Sequence, residues 1–172
     1  MLQLSRIFWG ICRLKSNPQD LPKEIYLLVL AIFAGILVDS FSSSILIPKL
    51  SSLDILQAVV FYNLASLLAI YFLVRLVGFR ERALQTVTAI AGSGVFISLV
   101  LLPALLVVNA SANAAISFAF LILADNVWRI IVNAHIFRHA LSIGLLMAMI
   151  LSVSYLLFGV LIADFVLPTH TS

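Results

Sequence analysis

Five stretches, about 25–47, 54–77, 84–108, 113–137 and 141–166, are rich in Leu, Ile, Val, Ala and Phe and carry few charges. A helix needs roughly 20 such residues to cross the hydrocarbon of a bilayer. Each stretch is long enough. The linkers between them are a few residues long, so successive spans must run antiparallel. The expected fold is all-α: a bundle of five transmembrane helices filling residues 23–168. A cytoplasmic segment, 1–22, precedes it, and a short tail, 169–172, follows. Composition supports this reading, because 63% of residues are hydrophobic and 10% charged. Soluble domains carry about a quarter charged residues. This chain has too few polar side chains to cover a water-facing surface, and the lipid bilayer is its expected surroundings.

The charges that remain are unevenly placed. Arg6, Arg13, Lys15 and Lys23 precede the first span. Arg75, Arg80 and Arg82 lie at the junction of the second and third, and Arg138 at the junction of the fourth and fifth, beside His135 and His139. The other side has Lys49, an uncharged "NASAN" loop (109–113), and Asp164 and His170 near the end. Lys and Arg concentrate on the cytoplasmic side of membrane proteins. The N-terminus is therefore expected in the cytoplasm and the C-terminus outside. The basic side chains Arg6, Arg13, Arg75, Arg80, Arg82 and Arg138 are candidate contacts for anionic lipid headgroups or a partner. They form no nucleic-acid patch.

Residues 2–14, "LQLSRIFWGICRL", repeat Leu4, Ile7, Phe8, Ile11 and Leu14 at helical spacing, with Arg6 and Arg13 off that stripe. This predicts a short amphipathic helix lying at the membrane interface. The alternative is the same helix packed beneath the bundle. "SNPQDLP" (16–22) should end it, since Pro18 and Pro22 lack donors and bias the residues before them toward extended backbone. The segment has no signal-peptide pattern. Cys12, the lone cysteine, cannot form an internal disulfide.

Ionisable groups inside a membrane are costly unless paired or hydrated. Counting from the span ends, Asp39, Asn63, Ser93 and Ser98, Asp125 and Asn126, and Ser152, Ser154 and Tyr155 fall near mid-membrane. Asp125 and Arg129 are four residues apart, on one helical face, and Asn133 continues that face. Asp39, Asn63, Asp125, Asn126, Arg129 and Asn133 are thus a candidate buried polar cluster. It could be a pocket or ion path with Asp39 as second carboxylate, or a network holding helices in register. His135 and His139 have metal-compatible spacing, but no further Cys, Asp or Glu follows closely, so interface polarity explains them better than a metal. No cofactor is expected. Gly92 and Gly94 are not a nucleotide loop, since no strand precedes them and no Lys follows. With Thr88, Ala89, Ser93 and Ser98 they form small-xxx-small pairs that admit a neighbouring helix. Pro103 should disturb the third span. Asn109-Ala-Ser111 fits a glycosylation sequon, which has no meaning in a bacterium.

The block "YFLVRLVGFRERALQTVTAIAGSGVFISLVLLPALL", Tyr71 to Leu106, resembles the Yip family, five-span membrane proteins named for interaction with Ypt/Rab GTPases. A span ends in a basic turn (Arg80–Arg82), and a polar helix start (Gln85–Thr88), a small-residue stretch (Gly92–Gly94) and a proline (Pro103) follow. The resemblance implies five spans, a cytoplasmic N-terminus and a role in membrane organisation through partners, with no active site and no functional residue to transfer. The long cytosolic region of eukaryotic members is not present before the first span. That puts GTPase binding in doubt and suggests a bacterial inner-membrane protein. The expected function is a non-enzymatic scaffold or accessory subunit working with other membrane proteins or further copies of itself. The alternative is a small proton, ion or solute carrier built on the mid-membrane cluster. An intramembrane lipid enzyme would need a nucleophile and base at one depth, which the serines and histidines do not share.

Overall fold

The computed structural model describes residues 2–110 and 114–166, all helix, turn or coil. The C-terminal tail, His170, and Ser111 of the sequon lie outside the described residues. The helices are α1 (Leu2–Cys12), α2 (Ile25–Leu46), α3 (Ser52–Leu76), α4 (Ala83–Asn109), α5 (Ala114–Leu141) and α6 (Leu145–Val166). Five of them, α2 to α6, are long and apolar enough to cross a membrane. The chain is an all-α integral membrane protein.

Local chemistry sets the helix ends. The Ser51 hydroxyl accepts a hydrogen bond from the Asp54 amide (3.2 Å), an N-cap for α3. Gly78, at φ 102°, ends α3 in the left-handed region, and the Phe79 amide reaches back to the Val74 carbonyl. A single 3-10 turn, Pro18–Asp20, occupies the proline-containing linker, and the Asn17 amide donates to Asp20 Oδ2 (2.8 Å). Sequence reading places the end of the fourth span near residue 137, yet α5 runs to Leu141. The polar residues Arg138 and His139 do not break a helix. The stop comes at Ser142, in the left-handed region at φ 54°. The guanidinium of Arg82 also covers this end, with Nη1 donating to the carbonyls of His139 and Ala140 (3.3 Å each) and to Ser142 Oγ (3.0 Å). A cation at a helix C-terminus satisfies orphan carbonyls and opposes the helix dipole. Pro103 stays within α4, which continues to Asn109.

The five long helices close a ring in the order α4, α2, α3, α6, α5 and back to α4. α3 also touches α4 across the ring. The ring has two unlike ends. One carries Lys23, Arg75, Arg80, Arg82 and Arg138 and is called the basic end here. The other, distal end carries the turn from Ile47 to Ser51. The main buried cluster lies in the basic half: Leu27 of α2; Leu67, Ile70 and Val74 of α3; Val87 and Ile90 of α4; Val132, Ile136 and Phe137 of α5; Ala148 of α6.

The predicted amphipathic helix forms, and its stripe packs beneath the bundle, the alternative to an interfacial helix. Leu4 and Ile7 lie against the buried cluster, and Leu14 is exposed. Phe8, Ile11 and Cys12 are buried against α4 and α5, while Arg6, Trp9 and Arg13 stay exposed. The reason is a fit. The Phe8 ring lies against Gly92, where any Cβ would collide with it, and stacks on Phe96 at 5.8 Å. The Cys12 thiol donates to the Ser93 carbonyl (3.7 Å), and Trp128 Nε1 donates to the Cys12 carbonyl (3.1 Å). The small-residue face of α4 thus admits α1. The linker is stitched down as well. Gln85 Nε2 donates to the carbonyls of Gln19 and Leu21, Gln19 Nε2 donates to the His139 carbonyl, and His135 Nε2 donates to the Ser16 carbonyl.

Candidate functional site

The mid-membrane polar residues meet. Asp39, Asn63, Ser98, Asp125 and Arg129 each lie roughly 12–16 residues from the basic end of their helix, about 18–24 Å along its axis at 1.5 Å per residue. Arg129 Nε donates to both oxygens of Asp125 (3.0 and 2.9 Å), and Nη2 donates to Ser98 Oγ (2.6 Å). The Ser98 hydroxyl in turn donates to Asp39 Oδ1 (3.3 Å), and Asn63 Nδ2 donates to Asp39 Oδ2 (3.3 Å) and to the Val59 carbonyl (3.0 Å). One chain of hydrogen bonds therefore links α2, α3, α4 and α5. Gly94 makes room for it. A Cβ there would sit 3.3 Å from Arg129 Nη1, tighter than an ordinary contact.

A cavity of about 380 Å³ stands directly on this network and extends toward the distal end. Asp39, Tyr62, Ser98, Asp125, Asn126 and Arg129 form its floor. Ser42, Ser43, Leu46, Ile55, Leu101, Leu105, Leu121 and Leu156 are among its walls. A site this size holds about a dozen water volumes. Asp125 and Arg129 keep 29% and 28% of their side-chain surface accessible. The floor is therefore not sealed by packed side chains. Toward the basic end there is a void of about 60 Å³, reached by Asn133, Ser93 and Tyr155, and then the close-packed cluster.

The placement of the remaining expected residues is mixed. Asn126 lines the cavity while its Nδ2 donates to the Ile122 carbonyl of its own helix (2.8 Å). Asn133 reaches the smaller void and takes no part in the network. Ser93 Oγ bonds the Ile90 carbonyl, and Ser152 Oγ ties α6 to the Ile130 carbonyl of α5. Two floor residues are absent from the expected cluster. Ser98 is legible as polar and mid-span but has no charge to single it out. Tyr62 is a mid-span tyrosine whose ring packs on Gly159 of α6, and its position beside Asn63 is the only sequence signal for it. His135 and His139 rings stand 4.5 Å apart, and among the described residues no group of three or more His, Cys, Asp or Glu side chains converges as a metal site would require.

Of the basic residues, Arg82 is engaged at the end of α5. Arg75 Nη1 donates to the Tyr71 hydroxyl (2.8 Å), with the guanidinium over that ring. Arg6, Arg13, Arg80 and Arg138 are exposed. No family model, curated protein or solved structure matches the chain. The likeness of Tyr71–Leu106 to the Yip family rests on those residues alone.

Proposed function

We propose that this protein binds a small solute within the membrane and carries it across, with the pocket open at the distal end. The observation that carries this reading is the 380 Å³ cavity standing on the Asp39–Ser98–Arg129–Asp125 network. A network that served to lock helices in register would be covered by packed side chains, as the basic half is. Ionisable groups held at a hydrated mid-membrane floor are the usual means of binding solute in transport proteins. The uneven basic charge supports an orientation with the basic end in the cytoplasm, so the pocket faces outward. Carriage then requires the close-packed basic half to loosen while the distal half closes. The short turns and Yip-like layout support a scaffold or accessory role instead, and the cavity weighs against it.

The test is solute counterflow in vesicles reconstituted with the purified protein, across a panel of small organic cations, anions and zwitterions. Accumulation of at least one class, lost on Arg129→Gln, is the expected result. Vesicles silent to the whole panel, with Asp125→Asn indistinguishable from wild type, would remove the carrier reading.

A further inference from the structure

The charges on the cavity floor do not cancel. Asp39 and Asp125 are two carboxylates, and Arg129 is the one cation among the residues lining the cavity. The guanidinium bonds both oxygens of Asp125 through Nε and Ser98 through Nη2, so its direct ion pair is with Asp125 and its charge reaches Asp39 without a bond. Among the described residues, the hydrogen bonds given to Asp39 come from the Ser98 hydroxyl and the Asn63 amide, both neutral and both at 3.3 Å. Asp39 thus sits deep in the bundle, faces the cavity and lacks a cation bonded to it. A carboxylate in such a place is stabilised by any positive charge that reaches it. Tyr62 lines the same floor, and an aromatic ring adds attraction for a cation lying over it.

The walls define the rest of the ligand. Leu46, Leu101, Leu105 and Leu156 give the cavity an apolar lining above its polar floor. Among the described residues no three His, Cys, Asp or Glu side chains converge to hold a metal ion, and a proton needs no cavity of 380 Å³. A molecule with one cationic head and an apolar body matches both parts. Resting on the carrier reading above, we propose that the pocket takes a small amphiphilic monocation, an organic ammonium, with Asp39 as its counter-charge and the leucine walls holding its apolar portion.

The test uses the full chain in phosphatidylcholine nanodiscs. Three radiolabelled probes of nearly equal shape, 2-phenylethylammonium, 2-phenylethanol and 3-phenylpropionate, are measured separately. The ammonium should bind saturably, at least tenfold more tightly than the other two. Asp39→Asn should weaken it tenfold or more and leave the alcohol unchanged, which shows that the variant remains folded. Leu102→Trp fills the cavity from its wall, one helical turn from Ser98, and it should weaken ammonium and alcohol alike. Equal or tighter binding of alcohol or carboxylate overturns the cation assignment and spares the pocket, as does unchanged ammonium binding in Asp39→Asn. Saturable binding by none of the three overturns both this assignment and the carrier reading.

Discussion

The two halves of this bundle are built from the same residue types and reach opposite outcomes. At the basic end, Val74, Val132, Ile136 and Phe137 are wholly buried, and α1 with its linker fills the space against α4 and α5. At the distal end, a cavity takes the place of that filling, and leucines of four helices line it. Apolar composition alone therefore does not close a membrane bundle. Closure at the basic end comes from an extra helix, from Gly92 where Phe8 needs room, and from polar side chains bonded to the linker backbone. The distal half has no extra helix and no linker backbone bonded to side chains among its described residues, and the polar network marks the boundary.

Perturbing the halves should expose the difference. Phe137→Ala leaves a void among packed neighbours and should cost about 3 kcal/mol, the lower end for such a change, since lipid rather than water is the alternative surroundings. Thermal unfolding in detergent would show it as the largest drop of the series. Arg129→Met strands two carboxylates at one depth. It should cost about 2–3 kcal/mol, less than the 3–5 of a fully buried pair because over a quarter of the side chain is accessible. If Asp125→Asn is added to Arg129→Met, part of the loss should return. Gly92→Ala forces Phe8 away from α4 and should cost about 1–3 kcal/mol. Leu102→Ala, on the cavity wall, should cost less than about 1 kcal/mol, because the cavity already exists. A cost there equal to that of Phe137→Ala would erase the distinction between the halves.

Cys12 sharpens the same comparison through pH. Burial pushes its thiol from the ordinary 9.0 up to about 11, although Arg129 pulls the other way. The folded thiol resists ionisation more than the unfolded one. Its contribution is therefore complete below pH 9 and is lost as pH climbs toward about 11. Maleimide labelling at pH 7.5 should be slow in the wild type and faster in Gly92→Ala, where α1 is displaced. Cys12→Ser should flatten the alkaline loss of stability, the smallest effect of the set.

The spans were legible in the sequence because crossing a bilayer demands length and apolarity, which any chain displays openly. The pairing of Asp125 with Arg129 was legible too, since helical spacing puts them together whatever the rest of the fold does. Long-range matters were not. Ser98 joins the network because α4 happens to turn it between Asp39 and Arg129, and helix rotation leaves no mark in a span that is apolar all round. The role of α1 was hidden for a similar reason: its stripe suits lipid or protein equally, and the glycine that receives Phe8 lies 84 positions away. Arg82 read as a surface charge because the end of α5 that it covers is set by Ser142, not by the polar residues before it. A cavity is missing volume, and no residue encodes it.

The most direct measurement is water access to engineered thiols in a Cys12→Ser background, using a membrane-impermeant maleimide on intact protein in vesicles. Ser43→Cys and Asn126→Cys, on the wall and floor of the cavity, should label from one side of the membrane, while Ile90→Cys in the packed half stays unlabelled from either side. Unreactive thiols at 43 and 126, or labelling at 90 as fast as at the cavity, would contradict a pocket open at one end above a closed half.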